Sequence, residues 1–141
     1  MLKRPLNEMK IIIADDEDES LDSFENMLEI MGFDADNIYR AHDGTGVLKV
    51  LDKKREKSPY FDLILCDWYM PVKTGIEVLA NVRKREDYRD IPFIMITGDD
   101  DEDNIALVQK YKGNGYILKP FSEIVFKEKI YQCLGLYKKL A

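Results

Sequence analysis

With 141 residues, 45% of them hydrophobic and 34% charged, the chain has apolar material for one cored domain and too little length for two of ordinary size. Its 21 basic and 27 acidic side chains leave a formal net charge of -6, which argues against wrapping nucleic acid directly, because that affinity comes from clustered Lys and Arg. The first apolar run, Ile11 to Ala14, is too short for a secretory signal or a membrane span, and Cys66 and Cys133 lie in separate apolar segments without metal-ligand spacing, so a soluble cytoplasmic protein with buried thiols is expected.

Residues 1 to 9 read as a loose extension, and KIIIA at 10 to 14 as a buried strand. Leu21, Phe24, Leu28 and Met31 then recur at helical spacing and stop near Gly32. NIYRA at 37 to 41 is a weaker strand suited to an edge, followed by a helix over 44 to 57 with Val47, Leu48 and Leu51. FDLILC at 61 to 66 is a third strand, and residues 75 to 86 form a helix through Ile76, Leu79 and Val82. PFIMI at 92 to 96, a helix over 101 to 111 with Ile105 and Val108, and GYILK at 115 to 119 continue the alternation. A last helix from about Ser122 carries Phe126, Ile130, Cys133, Leu134 and Tyr137 along one stripe. Short continuous apolar strands alternating with helices specify a parallel, doubly wound α/β sheet of five strands and five helices.

In such sheets ligands lie beyond the carboxyl ends of the strands. Asp15 and Asp16 follow the first strand, Asp67 the third and Thr97 the fourth, with Lys119 at the end of the fifth. Each has an ordinary explanation alone: acid near a helix N-terminus for the first pair, loop or strand-end residues for the others. Together they occupy one rim. Carboxylates held close repel one another unless a divalent cation neutralises them, and Mg²⁺ suits an oxygen-only set shared with a phosphate. A carboxylate beside it can attack phosphorus, with Lys119 balancing charge and Thr97 donating to a phosphoryl oxygen.

Four separated segments, ADDE at 14 to 17, DLILCDWYMPVKTG at 62 to 75, MITG at 95 to 98 and GYILKPF at 115 to 121, together resemble the receiver domain of two-component response regulators, in the layout of the stand-alone CheY-like proteins. The resemblance runs from about Lys10 to residue 141. It implies a flavodoxin-like strand order of 2-1-3-4-5 and a phosphoacceptor at Asp67. It also implies Mg²⁺ held directly by Asp16 and Asp67, through water by Asp15, and by the backbone carbonyl of Tyr69. Thr97 and Lys119 would contact the phosphoryl group, the Lys119-Pro120 bond would be cis, and Thr97 and Tyr116 would form the switch. The donor would be a histidine kinase or a histidine phosphotransfer protein, since His42, the only histidine, sits in a surface loop. The target would be a protein bound through the fourth helix, fifth strand and fifth helix, where Ile124, Val125 and Tyr131 lie off the buried stripe. With the chain ending on its fifth helix, the expected output is a chemotaxis-type contact or a phosphorelay step, from a monomer or weak dimer, with no membrane association.

Two other classes share parts of this pattern. A Mg²⁺-dependent aspartyl-phosphate phosphohydrolase of the haloacid dehalogenase group places a second Asp two residues past its nucleophile, where this chain has Tyr69. A calcium loop would need Gly at its sixth position and Glu at its twelfth, and neither DDEDES nor DDDEDN provides them. Tyr69 and Asp99 stand where side chains govern the approach of hydrolytic water to an acyl phosphate. A ring there would shield the group and a carboxylate would hold a water, so the two pull in opposite directions.

Overall fold

The computed structural model of the protein describes residues 4–54 and 60–136. Strands and helices alternate as β1 (Ile11–Ala14), α1 (Asp18–Met31), β2 (Ile38–Ala41), α2 (Gly44–Lys54), β3 (Leu63–Asp67), α3 (Gly75–Arg83), β4 (Phe93–Thr97), α4 (Glu102–Lys110), β5 (Gly115–Leu118) and α5 (Glu123–Leu134). All neighbouring strands pair in parallel, in the order β2-β1-β3-β4-β5. This is the expected doubly wound, flavodoxin-like sheet.

β1, β3 and β4 are buried at every position, because helices cover both faces of the sheet. Ile12, Ile64, Phe93 and Met95 face a core closed by Val47, Leu51, Leu79 and Val108 of α2, α3 and α4. Ile11, Ile13, Leu65 and Ile96 face a second core, closed by Leu21, Phe24 and Leu28 of α1 and Phe126 and Ile130 of α5. Side-chain alternation thus sends each apolar run into two separate interiors.

Local chemistry fixes where helices begin and end. Thr74 accepts from the Glu77 amide while Glu77 Oε1 accepts from the Thr74 amide, a reciprocal cap that starts α3. Ser122 caps α5 through the Val125 amide, and Gly32, at φ 113°, closes α1 in the left-handed conformation. α3 stops at Arg83 rather than residue 86, because the Lys84 and Arg85 amides turn back three residues, to the Asn81 and Val82 carbonyls respectively. Cys133 is half-buried while Phe126, Ile130 and Leu134 carry the α5 stripe. Tyr137, residues 55–57 of the expected second helix, and residues 1–3 lie outside the described residues.

The segment expected to be a loose extension is anchored over residues 4–9. Met9 is buried, Leu6 packs against the α1/α5 core, and Arg4 Nη2 donates to Asp62 Oδ1 at 2.6 Å. Asp62 Oδ2 also accepts the Lys10 amide at 2.9 Å. Leu6 and Met9, three residues apart, carry this docking, a signal too brief to show as periodicity.

Candidate functional site

Asp67 is the last residue of β3, one place further into the strand than the apolar run suggests. The ladder continues past it, with the Trp68 amide donating to the Ile96 carbonyl at 2.9 Å. Thr97 likewise ends β4 inside the strand, opposite Leu118. Both are buried, at 8% and 2% exposure. The β3–α3 loop folds back over the strand end, its Gly75 amide donating to the Trp68 carbonyl at 2.7 Å. A Cβ at Gly75 would lie 2.5 Å from the Asp67 carbonyl oxygen and 2.6 Å from Met95 Sδ, so only glycine permits this close return.

Asp15, at 1% exposure, follows β1 and comes to the same rim. One carboxylate oxygen from each of Asp15, Asp16 and Asp67 lies within 4.8 Å of the others. Lys119 Nζ bridges two of these groups, donating to Asp67 Oδ1 at 3.1 Å and Asp15 Oδ2 at 3.2 Å. Asp15 Oδ1 accepts the Glu17 amide at 2.9 Å, so both of its oxygens are engaged, whereas Asp16 is exposed. The Lys119-Pro120 bond is cis.

The charges do not balance. Burial pushes the Asp67 carboxyl up to about 6, with Asp15 and Asp16 adding to the effect and Lys119 opposing it. Burial also works against the Lys119 ammonium, but Asp67 and Asp15 outweigh it and hold its pKa above the ordinary lysine value. One cation therefore faces three carboxylates, leaving negative charge at a half-enclosed rim. An oxygen-only donor set of this kind fits a hard divalent cation.

Tyr69, past the strand end, points outward and joins two loops. Its hydroxyl donates to Asp99 Oδ2 at 3.0 Å, and Asn104 Nδ2 donates to the same oxygen at 2.6 Å. The Asp101 amide takes Asp99 Oδ1 at 2.9 Å. These three donors, the Asp101 amide first, hold the Asp99 carboxyl below its usual range. Asp99 is thus occupied by protein donors, and Asn104 is a member of this group that the sequence pattern did not single out. Thr97 Oγ1 accepts the Asp99 amide at 3.0 Å, which leaves its own hydroxyl proton free to donate elsewhere. In the same β3–α3 loop the Lys73 amide donates to the Pro71 carbonyl at 2.8 Å, around Val72 at φ 71°, a strained three-residue turn for a β-branched side chain.

Other residues flagged by sequence lie elsewhere. Tyr116 is opposite Met95 in the sheet, packs against the α2/α3/α4 core, and has the Lys129 ammonium 5.7 Å above its ring. His42 is exposed, with Nε2 2.7 Å from Asp18 Oδ1. Val125, 40% exposed, lies one turn before Lys129 on the side of α5 that reaches β5. Ile124 does not belong to the expected α4-β5-α5 face. It lines a small groove with Met27, Ile30 and Met31 of α1, because α5 turns that position toward its helical neighbour. Cys66, fully buried beneath the site, donates from Sγ to the Asp67 carbonyl at 3.4 Å. Among the described residues no helix is long and apolar enough to cross a membrane.

Comparison with known proteins agrees with this geometry. The family model "Response regulator receiver domain" matches residues 11–131. The chemotaxis protein CheY of Pseudomonas aeruginosa is 38% identical over 122 residues, covering 86% of this chain and 93% of that protein. CheY-3 of Vibrio cholerae is 36% identical over 122 residues, covering 86% and 88%. Among solved structures, the Vibrio cholerae chemotaxis protein CheY4 superposes with a TM-score of 0.78 at 25% identity, over 89% of this chain and 98% of that one. A CheY-like receiver domain protein from Methanospirillum hungatei gives 0.75 at 28% identity, over 90% and 94%. With a rim of three aspartates, two of them bridged by Lys119, and a family match spanning nearly all of the described chain, this protein belongs to the response regulator receiver domain family.

Proposed function

We infer that the protein is a signalling phosphoacceptor in which Asp67 takes a phosphoryl group from a phosphohistidine on another protein. The observation that carries this reading is the Lys119 bridge between Asp67 and Asp15 at 3.1 and 3.2 Å, inside a three-carboxylate cluster. Asp16 and Asp67 would hold Mg²⁺ directly, Asp15 through water because both its oxygens are engaged, and the Tyr69 carbonyl would complete the protein's share. When bound, Mg²⁺ supplies the positive charge that keeps Asp67 ionised and offsets the charge on the transferring group.

An Asp67 carboxylate oxygen attacks phosphorus, the new P–O bond replacing the P–N bond to the donor. The imidazole leaves neutral when its other nitrogen carries a proton. Lys119 then moves its charge to a phosphoryl oxygen, and the Thr97 hydroxyl donates to another. The aspartyl phosphate is released slowly, because Asp99, held by three protein donors, is a poor base for water and Tyr69 ties that carboxylate to the β3–α3 loop. These features, with Tyr69 where a phosphohydrolase has its acid, argue against the phosphohydrolase reading.

The donor is a histidine kinase or a histidine phosphotransfer protein, and the cytoplasm is the compartment that such donors share with two free thiols. Output runs through Thr97 and Tyr116 to the face of α4, β5 and α5, where Leu118 and Val125 are exposed and Lys129 covers Tyr116. The named relatives favour a chemotaxis-type target over a relay step, with the protein acting as a monomer or weak dimer.

Trp68, buried beside the nucleophile, provides the test. Its fluorescence is expected to change on adding Mg²⁺ and again on adding a small acyl phosphate, with intact mass rising by one phosphoryl group. Asp67→Asn should lose the second response and the mass increase. A phosphoryl group mapped to any other residue would sink the reading.

A further inference from the structure

The opposite end of the sheet holds a second concentration of charge. There the last turns of α3 and α4 and the loop into β5 surround a half-open cavity of about 560 Å³, within the roughly 300–1,000 Å³ of small-molecule sites. Its wall carries Arg83, Lys84, Arg89, Lys110 and Lys112 against the single acid Asp90. In a chain of formal net charge -6, this is a local reversal of sign.

Helix dipoles favour a cation in a last turn, which accounts for Arg83 and Lys110. They do not account for Arg89, in the loop well past α3, or for the arrangement of Arg83 itself. Arg83 Nε and Nη2 donate to the Lys112 carbonyl at 3.1 and 2.9 Å, and Nη2 also to Asn114 Oδ1 at 2.9 Å. Asn114 Oδ1 is tied in turn to the Phe93 amide at 2.8 Å, so the guanidinium is fixed to the start of β4. Its remaining nitrogen, Nη1, is enclosed and has no acceptor among the described residues, an unfavourable state for a charged donor. Among the described residues Lys84, Arg89, Lys110 and Lys112 form no ion pair. Tyr111 gives the wall an aromatic part, with the Lys110 ammonium 5.7 Å from its ring centroid.

We propose that this cavity binds a small organic anion of nucleotide size bearing two or more phosphoryl groups. Arg83 is held in place by the Lys112 carbonyl and Asn114, which fixes its charge at the cavity wall without a carboxylate to neutralise it. Arg89 and Lys112, both exposed, add further positive charge at the rim. A concave wall bounded by three segments fits a compact ligand better than the flat face an acidic protein would need.

The test is calorimetric titration of the full chain with pyrophosphate and with ADP, without divalent cation, in the wild type and in Asp67→Asn. Both proteins should bind both ligands one-to-one, since the aspartate rim repels anions in the absence of a cation, and affinity should fall with added salt. Arg89→Gln combined with Lys112→Gln changes two exposed side chains and should weaken binding at least tenfold, with Tm and phosphorylation at Asp67 unchanged. Absence of heat with both ligands, or saturable binding untouched by the double substitution, would overturn the proposal. So would stronger binding of a polyglutamate peptide than of either ligand.

Discussion

Asp67 is ionised at neutral pH only against the resistance of its surroundings. The folded chain keeps the Asp67 proton up to about pH 6, whereas an unfolded aspartate releases it at about pH 4. Between those values the folded state binds more protons, so this residue's contribution to stability is full below about pH 4 and is lost as pH rises to 6. Asp67→Asn removes that loss. Without divalent cation the variant should therefore be more stable than the wild type at pH 7, by on the order of 2 kcal/mol, with the gap closing toward pH 4. Urea titrations at the two pH values measure it. Saturating Mg²⁺ should narrow or reverse the order, because the variant binds it less well. The presence of Asp67, Asp16 and Lys119 at a site was legible in the sequence, since strand ends are easy to find and charge after an apolar run is conspicuous. Which groups Lys119 bridges was not legible, because it depends on Asp15 turning inward while its neighbour Asp16 faces solvent.

The two loops that flank the site are coupled as elements. The β3–α3 loop contributes Tyr69 and the β4–α4 loop contributes Asp99, and their hydrogen bond ties the loops that follow Asp67 and Thr97 to each other. From sequence each position was visible, but a ring to shield and a carboxylate to recruit water gave opposing readings. In the structure Tyr69 and Asn104 both donate to one Asp99 oxygen, and under the proposed function that occupancy favours a slow loss. Tyr69→Phe keeps the ring and removes one of the two donors on that Asp99 oxygen, so loss of the phosphoryl group should accelerate several-fold. Time-resolved intact-mass spectrometry after removal of the donor reads this, and an unchanged half-life would refute the coupling. Strand lengths illustrate another limit of the sequence. The apolar runs stop at Cys66 and Ile96, yet β3 and β4 each continue one residue further, since a parallel ladder pairs backbone whatever the side chain.

Over the whole molecule the alternation of apolar strands and amphipathic helices specified the architecture, because five parallel strands leave few ways to bury both faces. Contacts between distant residues were beyond its reach. Arg4 meets Asp62 and Arg83 meets Lys112 only once the sheet has brought their segments together, and no local pattern marks either pair. The placement of the two thiols across this architecture has an experimental use. Cys66 lies on the central strand, bonded on both edges and desolvated so that its thiol pKa is well above the ordinary value. Cys133 sits in the last turn of α5, half-buried, its pKa pushed up to about 11. Alkylation in rising urea should therefore show a steep dependence at Cys66, matching global unfolding, and a shallow one at Cys133, matching fraying of the helix end. Each molecule carries two internal clocks, one for a helix terminus and one for the strand that ends at Asp67. Comparing them with and without Mg²⁺ would reveal whether a bound ion tightens the whole interior or only its rim.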